Sequence, residues 1–384
     1  MLTSGIHFKN FKIKSRQKEA KNILDKILKE KNQIILSLSK NYKNSFKKNL
    51  INKFKYKKNY RLIGMGGSSL GTHAIYQFLR KKIKKNFLFF DNLQTNYNKD
   101  KKNKFTNLIV SKSGNTIETI ANSNILLNKK DKNIFITENK KNYLSLLAEK
   151  LKAEVVEHNN FIGGRYSVLS EVGMLPAELM GLNSSKFKQL NLLVKNKTFM
   201  SSLIANVSSI FLLNKKKNFN SIIINYDIKS ENLFKWYQQL VAESLGKKKK
   251  GLLPIVSNMP RDNHSVMQLY LDGFQNNFYT FFFVHDKKSD KIKNRSILSS
   301  HNFLKNKNLH NILYAQKNAT ENVFRQKKIP FRSFEIKQRD EKTLGELFAF
   351  FILETILLGK LLKINPYDQP AVELIKKDTK KLLI

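Results

Sequence analysis

The 384-residue sequence predicts an α/β fold of two consecutive units, each a parallel sheet flanked by helices, with helical segments at both ends. Three observations carry that expectation. Short apolar runs recur between helical patterns. The series breaks at a long helical stretch and then resumes. Two of the runs end abruptly in loops rich in glycine and hydroxyl residues. The length suits two domains of ordinary size, and 41% hydrophobic residues allow a sizeable core.

In chain order, residues 1–58 read as a polar-rich helical segment with no chemistry of its own. The first α/β unit, 59–183, has strand candidates Arg61–Ile63, Phe87–Phe90, Phe105–Val110, Asn133–Thr137 and Glu154–Val156. Each is short and bounded by turn or charged residues, the pattern of a doubly wound sheet. A mostly helical stretch over about 171–215 leads into the second unit, 184–340. Its strand candidates are Ser221–Tyr226, Leu253–Val256, Phe278–Val284 and Phe331–Ile336, with helices Glu231–Gly246 and His264–Asp272 between them. The C-terminal part, 341–384, holds helices Leu344–Leu362 and Ala371–Leu383, separated by INPYDQP.

Composition excludes several functions. Cysteine is absent, which removes disulfides, thiolate catalysis and cysteine-ligated zinc. The start, MLTSGIHFKNFKIKS, lacks the apolar core of a secretory signal. The most apolar stretch, Leu347–Leu362, is interrupted by Glu354, Gly359 and Lys360 and reads as a buried helix, not a membrane span. A soluble, cytoplasmic protein is expected. The balance of 71 Lys+Arg against 29 Asp+Glu leaves a net charge of +42, which by itself suggests a polyanion partner. The lysines, however, are spread along the whole chain in short runs such as KKIKK and KKKK, mixed with asparagine. A nucleic-acid binder concentrates charge on one element with aromatics interleaved, so no nucleic-acid or membrane partner is expected. The positive field would still attract a small phosphorylated substrate.

Two strand exits carry the unusual loops. The first is Gly64-Met65-Gly66-Gly67-Ser68-Ser69-Leu70-Gly71, directly after RLI. The second is Ser111-Lys112-Ser113-Gly114-Asn115-Thr116, between FTNLIV and a helical run. Glycine lets the backbone approach a ligand, and a following helix N-terminus offers free N–H groups and a positive dipole end. The hydroxyls of Ser111, Ser113 and Thr116 add donors that suit a phosphate monoester. One such loop alone would be an ordinary capped turn. Neither fits GxGxxG or GxxxxGK(S/T), so two of them at successive strand ends favour a monophosphate over a dinucleotide or a nucleoside triphosphate.

A second group of residues suits acid–base work. In ENLFKWYQQLVAESLG, Gln239 and Glu243 lie four apart on one helix face. Glu243 sits in sequence among Leu240, Val241, Ala242 and Leu245, surroundings expected to be apolar and to raise a carboxyl group toward a working base. Arg165 follows Gly163-Gly164, which lets its permanently charged fork come close to a ligand. His264 opens HSVMQLYLDG, and Gln369 and Lys376 flank the last helix. None of these supports a function singly.

Taken in order, GMGGSSLG, SKSGNTIET, GGRYSVLSEVG, WYQQLVAESLGK, NHSVMQLYLDG and INPYDQPAVELIKK resemble the glucose-6-phosphate isomerase family, from residue 60 to the C-terminus. The resemblance implies two sugar-isomerase (SIS) domains and a homodimer whose active sites take residues from both subunits. It also implies that the C-terminal helices complete those sites. Position by position, Gly67, Ser68, Ser111, Lys112, Ser113, Thr116 and Gly164 would bind substrate, chiefly its phosphate. Glu243 would move a proton between C1 and C2, and Arg165 would stabilise the enediolate. His264, donated by the partner subunit, and Lys376 would assist ring opening, while Gln239 and Gln369 position the sugar. No cofactor is implied, and no His/Asp/Glu cluster has clear metal-ligand spacing, so a metal-independent reaction is expected.

There are departures from the family pattern. Thr72 follows Gly71 where proline is usual, and Ala371 and Ile375 stand where glycine is common. Ile375 directly precedes Lys376 and puts its presentation in question. Two rival readings differ in class. A dual-specificity phosphoglucose/phosphomannose isomerase shares the SGNT form of the second loop, but Gln369 within DQPAVEL favours the glucose enzyme. A non-catalytic SIS regulator that binds DNA would need a helix-turn-helix, and residues 1–58 show none.

Overall fold

The strands form where apolar residues run without alternation, because both faces of a parallel sheet are covered by helices. The computed structural model describes all residues except 14, 16, 98–103, 129–130, 218 and 287. The chain begins with β1 (Ile6–Lys9), α1 (Lys18–Lys29), α2 (Gln33–Ser37) and α3 (Lys48–Phe54). It continues through β2 (Asn59–Ile63), α4 (Leu70–Phe78), β3 (Asn86–Phe90), β4 (Thr106–Val110), α5 (Ile117–Leu126), β5 (Lys132–Thr137), α6 (Tyr143–Lys150) and β6 (Glu154–Glu157). Helices α7 (Glu171–Leu179), α8 (Leu190–Leu193) and α9 (Lys197–Lys215) follow. The second series is β7 (Asn220–Asn225), α10 (Glu231–Leu245), β8 (Leu253–Asn258), α11 (Met267–Asp272), β9 (Asn277–Val284), α12 (Leu309–Gln326) and β10 (Phe331–Ile336). Helices α13 (Glu341–Leu361) and α14 (Val372–Leu382) end the chain.

The first sheet has the order β3-β2-β4-β5-β6 and is parallel throughout. The second has the order β1-β10-β9-β7-β8, parallel except for β1, which pairs antiparallel with β10 in the register Ile6↔Ile336. Residues 1–58 are therefore not purely helical, as the pattern suggested. Four residues, IHFK, are too few to show a strand period, and their partner lies at the far end of the chain. The central strands β4 and β9 are buried at every position.

One apolar cluster runs from Leu62 and Leu108 of the first sheet through Trp236 and Leu347 to Phe278 and Phe334 of the second. Helix α10 lies within it, packed against α4, α13 and β8. Its buried face includes Phe234, Tyr237, Leu240, Val241 and Leu245. The apolar stretch around Leu347–Leu362 forms α13, buried along almost its whole length. Among the described residues no helix is long and apolar enough to cross a membrane.

Candidate active site

Both hydroxyl-rich loops leave the carboxyl ends of adjacent parallel strands, β2 and β4, so they open on the same edge of the first sheet. The second loop is closed on itself. The Gly114 N–H donates to the Ser111 carbonyl (3.1 Å), and the Ser111 and Thr116 hydroxyls lie 2.9 Å apart. Gly114 has φ +66°, and a methyl group there would meet the Asn142 side chain at 1.9 Å. Lys112 Nζ donates to the Asn160 carbonyl (2.7 Å) and stands 3.6 Å from Glu138. The first loop passes backbone to backbone against the GGR segment. A methyl group on Gly67 would lie 2.1 Å from the Gly164 carbonyl carbon. Only glycine permits that approach.

Arg165 sits directly behind this contact, 1% exposed. Its Nε donates to Ser244 Oγ (2.8 Å) and its Nη1 to Gln369 Oε1 (2.6 Å) and, more weakly, to Glu243 Oε2 (3.3 Å). Its Nη2 donates to the carbonyls of Pro366 (2.9 Å) and Asp368 (3.1 Å). The other Glu243 oxygen accepts from Gln239 Nε2 (2.9 Å). Gln239 in turn touches Gly66, whose added methyl would lie 2.8 Å from Nε2. Among the described residues the Gln239 side-chain carbonyl oxygen is buried without a partner, an acceptor open to a ligand donor. Burial pushes the Tyr166 phenol above its ordinary value despite the nearby Arg165, so it remains a donor to the Pro366 carbonyl (2.9 Å).

A cleft of about 670 Å³ lies in front of these groups, lined by Ser68, Ser111, Lys112, Ser113, Thr116, Gly164, Gln369 and Lys376. Thus eight of the residues singled out in the sequence share one cavity. Arg165, Glu243 and Gln239 are not on its lining and lie against it through Gly164 and Gln369. His264 stands apart. It is exposed at the end of the helical turn Arg261–His264 after β8, and the expected helix begins three residues later, at Met267. Lys376 reaches the cleft from α14 but is 65% exposed and pairs with Glu373 (2.6 Å). Thr72, the departure from the family pattern, is buried and donates to the Val172 carbonyl (3.2 Å).

Two expectations need correction. The environment of Glu243 is polar, not apolar. Leu240, Val241 and Leu245 turn to the core, while Glu243 faces Gln239 and Arg165 with its side chain 32% exposed. The first 58 residues also contribute to the site: Lys31, Asn32, Gln33 and Ile34, around the start of α2, form one wall of the cleft. Nothing in their local pattern sets them apart. Lys247 was likewise missed. Its Nζ donates to the Asp368 carbonyl (2.6 Å) and carboxylate (2.9 Å), so it and Arg165 together fold the 365–369 turn over the cleft. Its only sequence cue was its place at the end of the AESLGK motif. Among the described residues no group of three or more His, Cys, Asp or Glu side chains could hold a metal ion.

Comparison with known proteins is consistent with this geometry. A family model described as phosphoglucose isomerase matches residues 51–383. A glucose-6-phosphate isomerase of Methanocaldococcus jannaschii is 30% identical over 342 residues, covering 83% of this chain and 82% of the relative. Among solved structures, a hypothetical protein of Thermus thermophilus superposes with a TM-score of 0.81 at 22% identity, covering 96% of this chain and 94% of that one. A glucose-6-phosphate isomerase of Chlamydia trachomatis superposes with a TM-score of 0.71 at 18% identity, covering 91% and 73%.

Proposed function

The chain belongs to the phosphoglucose isomerase family, and we propose that it interconverts glucose 6-phosphate and fructose 6-phosphate through a cis-enediolate, a step of glycolysis and gluconeogenesis. One observation carries the chemistry. A partly exposed carboxylate, Glu243, is held between the Gln239 amide and the Arg165 guanidinium beside a hydroxyl-lined cleft.

In this reading the substrate phosphate takes the loop of Ser111, Lys112, Ser113 and Thr116, with Ser68, Gly67 and Gly164 at its side. Glu243 removes the proton from C2 of the open-chain aldose and returns it to C1. One of its oxygens is only loosely held, at 3.3 Å from Arg165, and is the one free to work. Arg165 faces the charge that develops on the enediolate oxygens, a fixed cation that needs no reorganisation. Gln239 and Gln369 orient the sugar. The proton moves within the substrate, so no cofactor is required.

The protein acts as a cytoplasmic homodimer in this reading. Support comes from His264, which is exposed and off its own chain's cleft, as a residue serving a neighbouring site would be. With Lys376 it would open the sugar ring. A coupled assay that follows glucose 6-phosphate formed from fructose 6-phosphate tests the function. Turnover by the folded protein is expected; its absence overturns the reading.

A further inference from the structure

Lys112 is the cation on the hydroxyl loop, and where its ammonium points depends on the segment that holds it. The Asn160 carbonyl accepts from Nζ at 2.7 Å. Asn160 lies in the turn 158–161 that follows β6, an edge strand of only four residues. Among the described residues no further strand lies on its outer side to bond this turn.

The His158 N–H ties this turn to the Thr137 carbonyl (2.8 Å), and a buried carboxylate adds a second anchor. Glu171, the first residue of α7, is 1% exposed and does not line the substrate cleft. Its Oε1 accepts the Asn159 N–H at 2.8 Å, and its Oε2 accepts the Tyr42 hydroxyl at 2.8 Å. The same turn reaches the N-terminal wall of the cleft, where Asn159 Nδ2 approaches Gln33 Oε1 at 3.4 Å. Lodging a carboxylate so deeply is unfavourable unless its hydrogen bonds are met and its charge is compensated. Here both oxygens accept, and the N-terminus of α7 supplies a favourable dipole end. An apolar side chain could fill the space but could not hold the Asn159 N–H.

We propose that Glu171 is a positioning residue: through the Asn159 N–H it fixes the Asn160 carbonyl, and so aims the Lys112 ammonium at the substrate phosphate. This rests on the isomerase reading, in which the Ser111–Thr116 loop takes the phosphate. Glu171 touches no reacting atom. Its loss should weaken substrate and product alike and leave the chemical step alone, a change in KM without a change in kcat.

The test is a double-mutant cycle. Glu171→Gln keeps the shape but leaves one acceptor where two donors arrive. KM for fructose 6-phosphate should rise about tenfold, the equivalent of one weakened charge-assisted hydrogen bond, with kcat within about twofold of the parent. Protection against thermal unfolding by inorganic phosphate should weaken by a similar factor. In a Lys112→Met background, Glu171→Gln should change neither quantity further. An unchanged KM in folded Glu171→Gln protein overturns the proposal, as does an equal rise in KM with and without Lys112. Should Glu171→Gln fail to fold, Tyr42→Phe withdraws one partner from the same carboxylate and should shift KM in the same direction by less, within the same cycle. Phosphate protection does not depend on turnover. A parent protein that binds phosphate but does not isomerise therefore counts against the proposed function, while the phosphate cycle still decides the role of Glu171.

Discussion

Among the described residues Arg332 and Arg165 are the two most deeply buried arginines, and their surroundings differ in one instructive respect. Arg332, on β10, donates through Nε to Thr280 (2.9 Å) and through Nη1 to Asn206 (2.9 Å) and Glu354, and Nη2 reaches Tyr237 and Glu354 at 3.3 Å each. Its carboxylate partner is 2% exposed and binds it with both oxygens. Arg165 is as deeply buried, yet its partner Glu243 is about a third exposed and accepts from it through one oxygen, at 3.3 Å. Arg165 spends its remaining donors on Ser244, Gln369 and two carbonyls of the 365–369 turn. Helix α10 serves both: its Tyr237 hydroxyl accepts from Arg332, while its Glu243 and Ser244 accept from Arg165. A sealed, two-pronged pair fixes a core. In the proposed reaction, the looser pair beside the cleft leaves Glu243 free to act as the base.

The contrast is broken or sharpened by substituting each carboxylate. Glu243→Gln should lower kcat by roughly 10²–10⁴-fold, the usual loss for a positioned general base and about 3–5 kcal/mol of barrier. Its thermal midpoint should stay close to the parent's. Exchange of the substrate C2 hydrogen with solvent should slow in step with turnover. Near-normal kcat, or exchange that persists without turnover, would show that another group is the base.

Glu354→Gln should do the reverse. It leaves the Arg332 charge buried without its counter-ion, which typically destabilises by roughly 3–5 kcal/mol, while kcat per folded molecule is retained. Denaturant unfolding beside steady-state kinetics reads both. A stable Glu354→Gln protein would mean that Asn206, Thr280 and Tyr237 suffice to hold the guanidinium. A third effect lies on the proposed phosphate loop. Replacing both Ser113 and Thr116 by alanine should raise KM at least about tenfold, since a hydrogen bond to a charged group contributes roughly 1.5–3 kcal/mol. An unchanged KM would move the phosphate elsewhere. Mixing inactive His264→Ala with inactive Glu243→Gln protein should restore partial activity as subunits exchange; verified heterodimers that stay inactive would remove the shared site.

The smallest effect belongs to another closed cluster. Burial alone would raise the Glu335 carboxyl, but the ammonium of Lys317 at 2.6 Å, with His285 and Lys9, outweighs it and holds the group down at about 2. The folded value lies below the ordinary 4.5, so the unfolded chain binds the extra proton. This share of stability is whole above pH 4.5 and is lost as pH falls toward 2. Unfolding midpoints of the parent and of Glu335→Gln should converge across that window. If they stay parallel, the cluster does not titrate with folding.

Local pattern by itself determined much of this protein. Strands buried on both faces must be continuous apolar runs, and all nine strand candidates of the sequence lie on β2–β10. Backbones that touch, as at Gly67 and Gly164, must carry glycine, which made the loops visible. Helix spacing put Gln239 beside Glu243, and there they share a hydrogen bond. Tertiary structure decided what depends on residues distant in the chain. It paired Ile6–Lys9 with β10, brought Lys31–Ile34 to the cleft, and gave Lys247 the 365–369 turn to hold. It also replaced the apolar neighbours expected for Glu243 with Arg165, and buried Glu171 under the turn that holds Lys112. A lysine among 71 lysines and arginines carries no mark of its role in its own neighbourhood. Sequence periodicity records which face of an element is buried, whereas the partner across the cleft is set only when distant segments pack together.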